Sequence, residues 1–85
     1  MAWFEKPGGR VGRLNPMRSG YFRHGELISI LGTEPVFLPL RNDDVVVCRK
    51  DYEDSTLGRN DLASTLLNKA IHGPALVAEP QELEP

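Results

Sequence analysis

Two short apolar runs, Val36-Phe37-Leu38-Pro39-Leu40 and Val45-Val46-Val47-Cys48-Arg49, flank the polar connection Arg41-Asn42-Asp43-Asp44. β-Branched runs on either side of a short turn-forming segment read as a β-hairpin. Setting Leu40 opposite Val45 pairs Leu38 with Val47 and Val36 with Arg49. Side chains alternate between faces, so one face carries Val36, Leu38, Leu40, Val45 and Val47. The other carries Phe37, Pro39, Val46 and Cys48. A hairpin that is apolar on both faces needs two covers, and any face left bare is a docking surface. Pro39 lacks an amide donor, which puts its strand at an edge or a bulge.

The sequence offers one evident cover. Leu62, Leu66, Leu67, Ala70 and Ile71 form a single apolar stripe at helical spacing. Asn60 or Asp61 suits the N-cap, and His72-Gly73-Pro74 is a stop signal, so a helix is expected over 60–72. Glu26-Leu27-Ile28-Ser29-Ile30-Leu31, closed by Gly32-Thr33-Glu34-Pro35, reads as a first strand, and Ala75-Leu76-Val77-Ala78 as a last one. Residues 50–58 are polar and read as a loop. The expected fold is α+β: a small, mainly antiparallel sheet of three or four strands with one helix across it, in the order β-β-β-α-β. This single domain is expected to span residues 21–78.

The flanks read differently. Residues 1–20 hold Pro7, Pro16 and a scatter of glycines, which breaks any helical or alternating period; they are expected to form an extended, flexible arm. The first 24 residues carry +4 (Lys6, Arg10, Arg13, Arg18 and Arg23 against Glu5), and the remainder carries −6. Residues 79–85 are acidic, contain proline, and are expected to be a disordered tail. Cys48 is the single cysteine, so no internal disulfide can form, and a reducing, cytoplasmic compartment fits. No apolar stretch is long enough to cross a bilayer, and the amino terminus lacks the pattern of a signal peptide, so no membrane association is expected.

Chemistry-bearing residues are sparse. Cys48, His24 and His72 are far apart in sequence and match no metal-ligand spacing, so no metal or other cofactor is expected. Cys48 lies mid-strand away from either histidine, and no nucleophile motif is present; the chain is expected not to be an enzyme. Gly8-Gly9-Arg10-Val11-Gly12-Arg13 is glycine-rich, but the reading places no strand before it and no helix after it, as a dinucleotide fingerprint requires. Arg10, Arg13, Arg18 and Arg23 amid glycines could track a phosphate backbone, with aromatics as stacking platforms. The same aromatics and arginines are favoured anchors of protein interfaces. Overall acidity favours the protein reading. Its candidate partner-binding residues are Trp3, Phe4, Tyr21, Phe22, Phe37 and Val46.

From about Glu26 onward the chain resembles a family of small uncharacterised α/β domains carried by bacteriophages and plasmids. The likeness rests on Leu38-Pro39-Leu40 running through an acidic turn into Val45-Val46-Val47-Cys48, on Leu57-Gly58-Arg59-Asn60, and on Ile71-His72-Gly73-Pro74-Ala75-Leu76-Val77. The Gly/Arg-rich start departs from that family's pattern of opening with a strand. The resemblance implies a phage or plasmid origin and no catalytic residues. The expected function is a non-enzymatic protein-binding module that associates with itself or with a host protein complex and modulates it. The alternatives are nucleic-acid binding through the arm and a structural accessory role in a virion or larger assembly.

Overall fold

A computed structural model describes residues 2–9, 11–15 and 20–83. The elements run β1 (Ala2–Glu5), β2 (Gly12–Leu14), α1 (His24–Leu31), β3 (Pro35–Pro39), β4 (Val45–Arg49), α2 (Asp61–Leu67) and β5 (Ala75–Ala78). Short 3-10 turns occupy Ser55–Leu57 and Pro80–Glu82. The five strands form one open antiparallel sheet in the order β2-β1-β5-β4-β3. The α+β class is as expected; the sheet has more strands, and there are two helices. β5 has the bounds expected for the last strand, and as the central strand it is buried along its whole length. β3 lies at an edge, as Pro39 requires.

The largest correction concerns residues 1–20, which contain two strands of the sheet. Lys6-Pro7-Gly8-Gly9 is a turn closed by the Gly9 N–H donating to the Lys6 carbonyl at 2.9 Å. Proline at its second position presets φ, and Gly8 takes φ +67° at the third, the demands of a type II turn. The residues that looked like breakers therefore build a connection. Ala2 is buried against the core below, with Phe4 half-buried beside it, while Trp3 points to the opposite face.

Residues 24–31 are helical where a strand was expected. Leu27 and Leu31, four apart, share the buried side, with Ile30 packed beside them. The Glu26 carboxylate accepts from the Arg23 backbone N–H at the start, and Gly32 ends the helix in the left-handed region at φ +89°. A helix of eight residues is marginal alone. Burial against Val47 and Leu76 outweighs the β-preference of Ile28 and Ile30.

The hairpin register is shifted by one residue from the expected one: Leu38 faces Val46, Phe37 faces Val47 and Val36 faces Cys48. The connection has three residues, not four, because the Leu40 N–H donates to the Asp44 carbonyl at 2.7 Å. Asp43 takes φ +72°, which completes a three-residue loop of the type I plus bulge kind. Val36, Leu38, Val46 and Cys48 thus share one face, and Phe37, Val45 and Val47 the other.

α2 begins as expected, with the Asn60 side chain accepting from the Ala63 N–H at 3.0 Å. It stops at Leu67, earlier than the 60–72 expected, because Asn68 turns left-handed at φ +54°. Ile71 still reaches the core, through a turn in which the buried Ser64 hydroxyl accepts from the Ile71 N–H and donates to its carbonyl. The segment expected to be a disordered tail is ordered through Leu83. Glu82 is buried, its carbonyl accepts from the Phe22 N–H, and Leu83 packs on the core.

The core accordingly has two parts, one on each sheet face. α1 covers Ala2, Val47, Leu76 and Ala78, with Phe22 and Leu83 at its margin. α2 and Ile71 cover Val46, Cys48, Ala75 and Val77. Each face of the β3–β4 hairpin is covered in part by one helix, so neither face is wholly bare, although Phe37 on β3 stays 47% exposed.

Candidate interaction surface

The expected partner-binding residues do not form one patch. Phe22 and Val46 are core residues and cannot meet a partner in the folded chain. Phe4 packs on the α1-side core, and Tyr21 is half-buried. Trp3 and Phe37 are exposed, at 40% and 47%, but on opposite faces and towards opposite edges of the sheet. Of the four arginines, Arg10 and Arg18 lie outside the described residues. Arg13 is on β2, and Arg23 caps α1 on the other side of the sheet.

What the fold brings together is Trp3 with Arg13, one residue from each of those two candidate sets. They face each other across the β1–β2 ladder, and the Arg13 guanidinium sits 5.5 Å from the Trp3 ring centre. That is a cation–π contact, which ties the two side chains to each other across the ladder. α2 sits over β4 and β5 and leaves this part of the same face open. Val11, 46% exposed, lies two residues before Arg13 in the same extended run.

The two sheet edges differ in a way that decides which can bind. In β3, the Leu40 N–H donates to Asp44 O and the Lys50 N–H to Glu34 O, so even-numbered residues bond to β4. Pro35, Phe37 and Pro39 therefore turn their backbone outward. Two of those three have no N–H, and the edge is blunted. The same alternation carried across the unbroken registers sends Val45 and Val47 to β5, Ala75 and Val77 to β1, and Ala2 and Phe4 to β2. Arg13 is left with both its N–H and its C=O directed away from the sheet. No proline interrupts this edge, and among the described residues nothing pairs with it.

Beneath that edge, on the α1 side, lies a mainly apolar groove of about 350 Å³. Leu14 forms one wall, and Phe22, Gly25, Ser29 and Ile30 of the α1 region form the other.

Other places carry less. Cys48 is fully buried, and burial pushes its thiol up to about 11, partly offset by Lys69 nearby, so it stays protonated and unreactive at neutral pH. His24 is paired with Glu34 at 3.0 Å on the surface. His72 donates its backbone N–H to the Tyr52 carbonyl and holds Nδ1 3.0 Å from the same oxygen. Lys69 donates to Tyr52 Oη at 3.0 Å, which raises its pKa above the ordinary lysine range and keeps it a cation. Tyr52, Lys69 and His72 thus clasp the 51–54 loop to the end of α2. A cleft of about 680 Å³ between the β3–β4 turn and the end of α2 is lined by Leu40 and Asn42 on one side and Leu66, Leu67 and Asn68 on the other, with Arg41 its one charged residue. Among the described residues, no three His, Cys, Asp or Glu side chains gather as metal ligands would, and no helix is long and apolar enough to cross a membrane.

No family model, curated protein or solved structure matches this chain. Sequence reasoning misses the β1–β2 ribbon because proline and glycines at this density read as disorder. The signal is present in Pro7-Gly8, the central pair of a type II turn, flanked by the alternation of Ala2, Trp3 and Phe4.

Proposed function

We propose that this chain is a non-enzymatic protein-binding module whose contact surface is the β1–β2 ribbon. The observation that carries the reading is the exposed Trp3–Arg13 pair on sheet that neither helix covers, next to an unblocked edge. Tryptophan and arginine are the side chains most enriched at the energetic centres of protein interfaces, and a stacked pair loses little further freedom on binding. Arg13 on β2 and Lys6 in the turn put basic charge on this ribbon, which supports an acidic partner surface. The resemblance to phage and plasmid domains favours a host protein complex as the partner, with modulation of that complex as the outcome.

The test is affinity capture with full-length protein and a Trp3→Ser/Arg13→Ser variant, with and without nuclease, followed by reconstitution with the purified partner. The expected result is a nuclease-resistant protein partner lost in the variant. Retention by the variant would exclude this surface. Capture abolished by nuclease would turn the reading to nucleic acid held by Arg10, Arg13, Arg18 and Arg23. Constitutive, stoichiometric incorporation into a particle would mark a structural accessory subunit.

A further inference from the structure

Resting on the protein-binding reading above, we propose that the outer edge of β2 accepts an extended segment of the partner as a sixth strand, with acidic and apolar residues alternating along it. Strand addition needs an open edge and places for side chains on both faces. β2 offers each of these. The outward N–H and C=O of Arg13 supply the backbone contacts. On one face, an incoming side chain would meet the Trp3–Arg13 pair, 5.5 Å apart, where a carboxylate gains a cation and an apolar wall. On the other face, the next side chain would enter the 350 Å³ groove between Leu14 and α1. That groove is mainly apolar, so it takes an uncharged apolar residue in preference to an acidic one. The two faces therefore call for different chemistry at alternate positions, which is what a β-strand presents.

A second copy of this chain is the poorer occupant. Two β2 strands paired about their middles would set Arg13 opposite Arg13, and like charges directly opposite destabilise a ladder. A β3 edge from another copy would bring Pro35 and Pro39, which have no N–H to give. Charge complementarity points to an acidic segment from a different protein.

Amide hydrogen exchange on the full-length chain, with a synthetic peptide as the added strand, tests this. Arg13 and Phe37 both turn their amides outward, so both should exchange rapidly in the free protein. The probe is a seven-residue peptide alternating glutamate with valine; controls replace glutamate with lysine or carry N-methyl groups on alternate backbone nitrogens. The glutamate peptide should slow Arg13 exchange about tenfold or more while Phe37 stays fast. The lysine peptide should bind about tenfold more weakly, and the N-methyl peptide facing its blocked side to β2 should give no protection. An Arg13 amide already protected in the free monomer would overturn the proposal, because the chain itself would then fill the edge. So would protection that rises with protein concentration alone, or equal binding of the N-methylated peptide in both registers. If a captured partner needs Trp3 and Arg13 yet leaves the Arg13 amide fast in the complex, strand addition fails while the protein-binding reading stands.

Discussion

Asn60 shows how much a single side chain can hold in a chain this small. It is fully buried, its Oδ1 accepts from the Ala63 N–H, and its Nδ2 donates to the carbonyls of Glu5 and Gly73 at 2.9 and 3.0 Å. One amide thereby starts α2 and ties it to β1 and to the turn before β5. Asn60→Ala should cost about 3 kcal/mol, from the lost cap and two carbonyls left without that donor, read as a lower urea midpoint with the slope unchanged. Asp43 is the opposite case. It sits at φ +72° where glycine is at ease, so Asp43→Gly should raise stability by about 0.5–1 kcal/mol in the same assay. Cys48 gives a pH signature. Its thiol is raised from 9.0 to about 11 in the folded state, so the unfolded chain releases the proton first as pH rises. The stability tied to the neutral thiol is therefore complete below about pH 9 and drains away between about pH 9 and 11. Cys48→Ala should lack that component of the alkaline decline in a comparison of denaturation midpoints across this window.

At the scale of elements, the two edges of the sheet follow from where the prolines stand. Pro35 and Pro39 fall on the same outward-facing set of β3, and this keeps a hydrophobic hairpin from growing by pairing with copies of itself. Replacing both, Pro35→Thr with Pro39→Thr, should restore two outward donors and produce concentration-dependent association in light scattering, where the parent chain shows none through this edge. Much of this region is legible from the residues: the hairpin, the edge position of β3, the Asn60 cap and β5 all follow from β-branching, a missing donor and capping chemistry. The register is not, because a loop of three residues differs from one of four only in whether Asp43 takes a left-handed conformation. α1 is hidden by Ile28 and Ile30, whose β-preference masks the Leu27–Leu31 spacing that tertiary burial rewards. The Trp3–Arg13 surface is legible only in halves. Each residue stands out as a candidate anchor, but nothing in the sequence pairs them until the Pro7-Gly8 turn sets their strands side by side.

At the scale of the molecule, a short chain closes a core on both sides of a five-stranded sheet. It does so by committing the N-terminal segment to structure, with Ala2 and Phe4 packed beneath α1 and Glu5 joined to Asn60. Two of the basic residues of this segment, Lys6 in the turn and Arg13 on β2, then sit on a built ribbon, and that part of the contact surface becomes a rigid one. Rigidity matters for binding because less freedom is lost when a partner docks. A flexible arm and an integral ribbon differ most plainly in what happens when the segment is removed. Urea unfolding of a chain lacking residues 1–15, followed by the fluorescence of Tyr21 and Tyr52 and by far-ultraviolet circular dichroism, tests this directly. If the ribbon is part of the sheet, its loss bares the β1 side of β5 and opens the α1-side core, and the cooperative transition should disappear; a sharp transition at the midpoint of the intact chain would contradict the account.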